Sequence, residues 1–187
     1  MDPHHFSPAF AEKAKHAISR WAKLALSSDA IMDVDRHIIE ESRQESRGFP
    51  QYAAWLEYKA RSYVAIAFER NGDFAGAARN LEWILRRRVI QPFERTALYL
   101  NLGHLYSKMG QVVRARSALH AGIRIAVRHN DTTAIDLLKA MIYVTGVLRP
   151  TKVNVKVFTK VCGGSLPKPL TADTFTKTVQ EYKHPLR

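Results

Sequence analysis

Arginine is the residue type with the most chemistry to offer in this chain. Arg86-Arg87-Arg88 is the densest run, and Arg95, Arg114, Arg116, Arg124 and Arg128 follow within the next stretch of sequence. The planar guanidinium fork makes paired hydrogen bonds to carboxylate or phosphate, which a lysine ammonium cannot match. These eight arginines are therefore the candidate polyanion-binding set. Net charge is +12 over 187 residues, and it is unevenly distributed. Residues 1–48 hold eight acids and seven bases, whereas residues 79–128 hold ten bases against Glu82 and Glu94. Such a field attracts nucleic acid, an acidic protein or an anionic membrane surface, without choosing among them. A purely structural role competes at Arg86-Arg87-Arg88, because cations at a helix C-terminus oppose the helix dipole favourably.

Other reactive residue types do not converge. The eight histidines are scattered, with His4-His5 at the terminus and His120 and His129 on or just past one helix. Asp131, the acid nearest to that pair, reads more simply as a helix cap than as a metal ligand. Cys162 is the single cysteine, so neither an internal disulfide nor a cysteine-cluster metal site is available. Lys160 nearby is the one feature that would lower its pKa, and no histidine is fixed beside it. Gly163-Gly164 lacks the lysine-serine or lysine-threonine of a phosphate loop. Glu40-Glu41 reads as a solvated helix face. No catalytic group, metal site or cofactor is expected.

The elements that must position the arginines show themselves as an internal repeat. Shifted by 38 residues, Val64 falls on Leu102, Ala65 on Gly103, Phe68 on Tyr106, Gly72 on Gly110, Ala77 on Ala115 and Leu81 on Leu119. That order gives two helices joined by a glycine turn, each with one apolar face and small residues where the pair crosses. The copy at 96–129 carries Tyr99-x-x-Leu102-Gly103-x-x-Tyr106 and resembles a tetratricopeptide repeat (TPR), whose first helix reads W-x-x-L-G-x-x-Y. The copy at 58–91 resembles it less, with Arg61 in place of the first aromatic and Ile84 in place of the last small residue. The family's proline near the repeat end is missing from both.

Read in order, Ser7-Pro8 opens a first helix whose inner face is Phe10, Ala14, Ile18, Trp21 and Ala25. Ser27-Ser28-Asp29 ends it and caps a second, with Ile31, Val34, Ile38 and Ile39 inward and Asp33, Asp35, Glu40 and Glu41 in water. Residues 7–47 are thus a divergent N-terminal hairpin. Helices are expected over 51–70, 73–88, 92–110 and 112–128, and a terminal helix over 131–147 solvates the end of the array, for seven in all. Beyond Leu148-Arg149-Pro150 the character changes. Val153, Val155 and Val157 alternate with polar residues as in a strand, and residues 151–187 read as a basic tail, extended or disordered, with a short helix over 171–182 as one option.

The expected fold is all-α, antiparallel hairpins over 1–150 stacked as a short TPR-like solenoid. The resemblance implies a concave face built from each hairpin's first helix: Lys59, Ser62, Ile66 and Arg70, then Leu100, Asn101, His104 and Lys108. With no catalytic groups converging, it further implies a non-enzymatic adaptor that holds a protein partner there; the charge suits an acidic partner, with the basic tail as a second contact. Binding of RNA or DNA along the arginine-rich face is the alternative, and self-association through an uncapped repeat end is a third role. No apolar run approaches the length of a membrane span, and the N-terminus lacks the pattern of a secretion signal. With one cysteine, the chain suits a reducing compartment, the cytoplasm or the nucleus.

Overall fold

The computed structural model describes residues 6–27, 31–87 and 90–183, with the backbone alone at 31 and 32. Arg88, His4-His5 and the Ser28-Asp29 cap lie outside the described residues. Within them the chain is all-helical, with nine α-helices and no strand. None of these helices is long and apolar enough to cross a membrane. The chain packs as two units, residues 1–90 and 91–187.

The first unit contains α1 (Pro8–Ser27), α2 (Ile31–Ser46), a 3-10 turn (Pro50–Tyr52), α3 (Ala53–Arg70) and α4 (Phe74–Leu85). Ser7 caps α1 by accepting from the Phe10 amide at 3.3 Å. Phe10, Ala14, Trp21 and Ala25 are buried as expected, and Ala17 rather than Ile18 completes the face. Phe10 sits in a nest of rings, its centroid 4.1 Å from Tyr52, 5.3 Å from Phe49 and 4.9 Å from Phe6. Glu41 corrects an expectation. It does not face water but accepts the Trp21 indole N–H at 2.7 Å and pairs with Arg20. Burying the indole leaves its one donor needing a partner, and Glu41 supplies it.

The two hairpins close by the same turn. In α3–α4, Gly72 has φ +79°, Asp73 N donates to Phe68 O at 2.9 Å and Gly72 N to Glu69 O at 3.0 Å. In α5 (Pro92–Lys108) and α6 (Val112–His129), Gly110 has φ +69°, Gln111 N donates to Tyr106 O at 2.8 Å and Gly110 N to Ser107 O at 2.9 Å. This pair of bonds around a left-handed glycine satisfies carbonyls that the helix end would otherwise leave bare. The repeat of 38 residues is therefore a repeat in backbone hydrogen bonds, not only in residue type.

The second unit continues with α7 (Ala134–Thr145), α8 (Lys152–Lys156), a π-helical turn (Val157–Val161) and α9 (Ala172–Glu181). Here two expectations fail together. Residues 151–183 are not an extended or disordered tail, and α7 is not a terminal helix open to solvent. Val157, Phe158, Phe175 and Val179 are fully buried against Ile135, Leu138, Met141 and Ile142 of α7. The valine alternation misleads because Asn154, Val157 and Phe158 also satisfy helical spacing, and burial of that face outweighs the weak β preference of valine. Thr151 caps α8 through the Asn154 amide at 3.2 Å, and Thr171 caps α9 through the Thr174 amide at 3.1 Å. The buried Leu148 amide donates to Thr176 Oγ1 at 2.8 Å, tying α9 to the segment that leaves α7. The lysines at 152, 156, 160, 168, 177 and 183 all remain exposed.

Phe175→Ala should accordingly cost about 3–5 kcal/mol of folding free energy, a core-sized loss. Val153→Ala, at an exposed position of α8, should stay within about 0.5 kcal/mol. Urea unfolding of the full chain checks both; a small effect at Phe175 would mean that α9 does not belong to the core.

Candidate functional site

The helix α6 turns one face inward and the other outward without mixing them. Ala115, Ala118, Leu119, Gly122, Ile123 and Ala126 are buried, whereas Arg116, His120, Arg124 and Arg128 recur every four residues on the exposed side. The helix contains no acidic residue. The side chains of Arg116, Arg124 and Arg128 have no ion pair or hydrogen bond among the described residues. The like-charged pair Arg124 and Arg128, four residues apart, costs a few tenths of a kcal/mol, and no acid in the helix relieves it. Arg128 is offset in part by the dipole at the C-terminal turn.

Arg116 and His120 also form one wall of a cleft of about 590 Å³. Met141 and Thr145 of α7 line it opposite, and Arg149, Thr151 and Asn154 come from the segment that enters α8. The His120 pKa is lowered, first by partial burial and then by the charges of Arg116 and Arg124. Its imidazole is thus held toward the neutral form, leaving the arginines as the site's fixed charge.

The other expected polyanion residues are partly committed elsewhere. Arg87 stacks on Trp83 with the guanidinium carbon 4.3 Å from the ring centroid, and Arg61 stacks there too at 4.0 Å. Arg61 replaces an aromatic of the repeat pattern, and Trp83 on the facing helix supplies the ring instead. Arg86 lies 4.0 Å from Glu82. Arg114 covers Tyr106 at 4.4 Å and donates to Gln111 Oε1 at 3.1 Å. Arg95 is half-buried. Arg86 and Arg87 belong to the first unit, and Arg95 and the arginines of α6 to the second.

No protein-family model, curated protein or solved structure matches the chain.

Of the residues expected on the concave face, Asn101, His104 and Lys108 lie exposed along one side of α5. Leu100 instead packs against the core of the second unit. Ile66 is 40% exposed on α3. Lys59 lies over the Tyr58 ring at 4.5 Å, and the Ser62 hydroxyl donates to Tyr58 O at 3.0 Å. Arg70 donates to Ala25 O at 3.2 Å and to Leu26 O, closing the C-terminus of α1. It acts as a brace rather than as a free cation. Asp131 accepts from Thr133 N at 3.0 Å in the turn that leads into α7, whose N-cap is Thr133 rather than Asp131 as expected, and it also accepts from the Thr96 hydroxyl. Arg149, Thr151 and Asn154 were missed, because they stood at the start of a segment read as tail. The capping pattern of Thr151 followed by Asn154 was the available signal for helix there.

Cys162 lies half-buried, beside the one lysine that could have lowered its pKa. Lys160 does not activate it; partial burial, with Asp136 nearby, raises its pKa to about 11. A thiol so rarely ionised is unreactive. Labelling with a disulfide reagent at mildly alkaline pH should therefore run at least about tenfold slower in the folded chain than in urea.

For His120 the sign follows from its lowered folded pKa. Unfolding binds a proton whenever the pH lies between the folded value and the ordinary value near ~6.5. Stability is thus fully present above that window and is lost as pH falls through it. His120→Gln should flatten this loss, read as a smaller drop in urea midpoint on mild acidification. An NMR titration placing the His120 pKa at or above the ordinary value would contradict the assignment.

Proposed function

We propose that this protein is a non-enzymatic interaction module that holds an acidic protein partner. The hairpins α3–α4 and α5–α6 are read as TPR-like units, and binding is assigned to the exposed faces of α5 and α6. The supporting observation is the stripe Arg116, Arg124 and Arg128, three exposed guanidiniums on a helix without a single acid. Evolution of a solvated face alone would be served by mixed charges, which stabilise a helix through i, i+4 pairs. A one-sign stripe sacrifices those pairs and is suited to a complementary surface, speeding encounter and fixing register. Relative to the sequence reading, the emphasis moves from the first helix of each hairpin toward α6, since Arg70 and Leu100 are occupied within the fold. The exposed lysines of the C-terminal helices supply the second contact once assigned to a tail.

Binding of the full chain to a fluorescein-labelled, aspartate- and glutamate-rich peptide at physiological salt tests this reading. Arg124→Glu with Arg128→Glu should weaken it by about tenfold or more, chiefly through slower association. A labelled single-stranded RNA tests the alternative. RNA binding that stays tight at physiological salt, with none to acidic peptide, would replace this reading by one of backbone phosphate contact.

A further inference from the structure

The cations of α6 do not stand in a straight column. A step of four residues turns the helix by somewhat more than a full circle. The stripe therefore winds from Arg116 at the edge of the buried face to Arg124 and Arg128 on the outer side, with His120 between. Arg116 and Arg124 are roughly 12 Å apart along the axis, and His120 lies midway. An acidic chain that reaches both guanidiniums passes over the imidazole. The lowered pKa of His120 comes from partial burial and then from Arg116 and Arg124, and no carboxylate among the described residues acts on it. Of the elements packed against α6, α7 gives the cleft Met141 and Thr145, and the segment entering α8 gives Arg149, Thr151 and Asn154. Arg149 is the single charged group among them. Asp136 of α7 acts on Cys162 instead, and His104 and Lys108 of α5, like Lys152 and Lys156 of α8, are exposed.

We infer that carboxylates of a partner laid along α6 draw a proton from solvent onto His120, so that binding is proton-linked and tightens as pH falls. The inference rests on the proposed reading of an acidic protein partner and adds its regulation. In the free chain the imidazole sits among cations and is held toward neutral. In the complex, carboxylates that reach Arg116 and Arg124 lie on either side of it. An opposite charge within about 4–6 Å favours the protonated form, so the complex holds a proton at a pH where the free chain does not. Above the pKa of the complex both states are neutral at His120, and affinity is constant. Between that pKa and the lower one of the free chain, each fall in pH strengthens binding. Below the lower one both states are protonated, and affinity levels off. Once charged, His120 joins the three arginines in an unbroken line of cations. The same proton thus destabilises the free chain and stabilises the complex, a pairing of signs that loss of the fold on acidification does not produce.

The test uses the full chain and an end-blocked peptide of aspartate and glutamate, compared at about pH 6 and about pH 7.5. Its label must not titrate in that range, and the peptide itself stays ionised because its carboxylates titrate near ~4. Wild-type binding should be about fivefold tighter at the lower pH, and calorimetry in buffers of different ionisation enthalpy should show proton uptake. His120→Gln, at an exposed position, should bind almost equally at both pH values and take up no proton. His120→Lys keeps the charge and should bind at the higher pH about as tightly as the wild type does at the lower. His104→Gln and His129→Gln should keep the wild-type dependence. An NMR titration should show the His120 pKa rising when the peptide is added. Wild-type binding indifferent to pH, or a pH dependence that survives in His120→Gln, would overturn the inference while leaving the acidic-partner reading intact. No peptide binding by a folded chain at either pH would reject both.

Discussion

The approach of α5 to α6 is set by Leu119 lying directly on the backbone of Gly103. A Cβ built on Gly103 would fall 2.5 Å from Leu119 Cδ2, closer than any real side chain tolerates. Nothing but hydrogen fits there, so the two helices meet at the distance at which Leu119 fills the gap. That contact fixes the rotation of α6 about its own axis. With Leu119 and Ile123 turned in, Arg124 and Arg128 are carried to the outer side of α6, and Arg116, three and seven residues before the two apolar residues, comes to the edge of the buried face. One step further along, Gly122 gives Leu137 the same room, with a built Cβ 2.7 Å from its Cδ2. Packing that is indifferent to charge thus decides where the charge is displayed.

The hairpins were legible in the sequence because their decisive residues act locally. A glycine at the end of a helix, followed by a residue whose amide reaches back to the last free carbonyls, needs no distant partner to form. Gly72 and Gly110 could be read for that reason, and so could the small residues Ala65 and Gly103. The C-terminal segment was not legible because its helicity depends on what it covers. Val153, Val155 and Val157 favour a strand when taken alone. The apolar side of α7, buried from Ala134 to Ile142, gives Val157 and Phe158 a place only as a helix. Long-range burial overrode a local preference.

The candidate site divides along the same line. Arginines can be counted in a sequence, but not the aromatic rings that occupy them, and Trp83 and Tyr106 take Arg61, Arg87 and Arg114 out of the free set. A stacked guanidinium keeps its charge while losing reach, so density along the chain does not show which guanidiniums stand clear of the fold. Glu41 shows the converse. A pair of adjacent carboxylates looks like solvated surface until Trp21 is buried next to one of them and needs an acceptor.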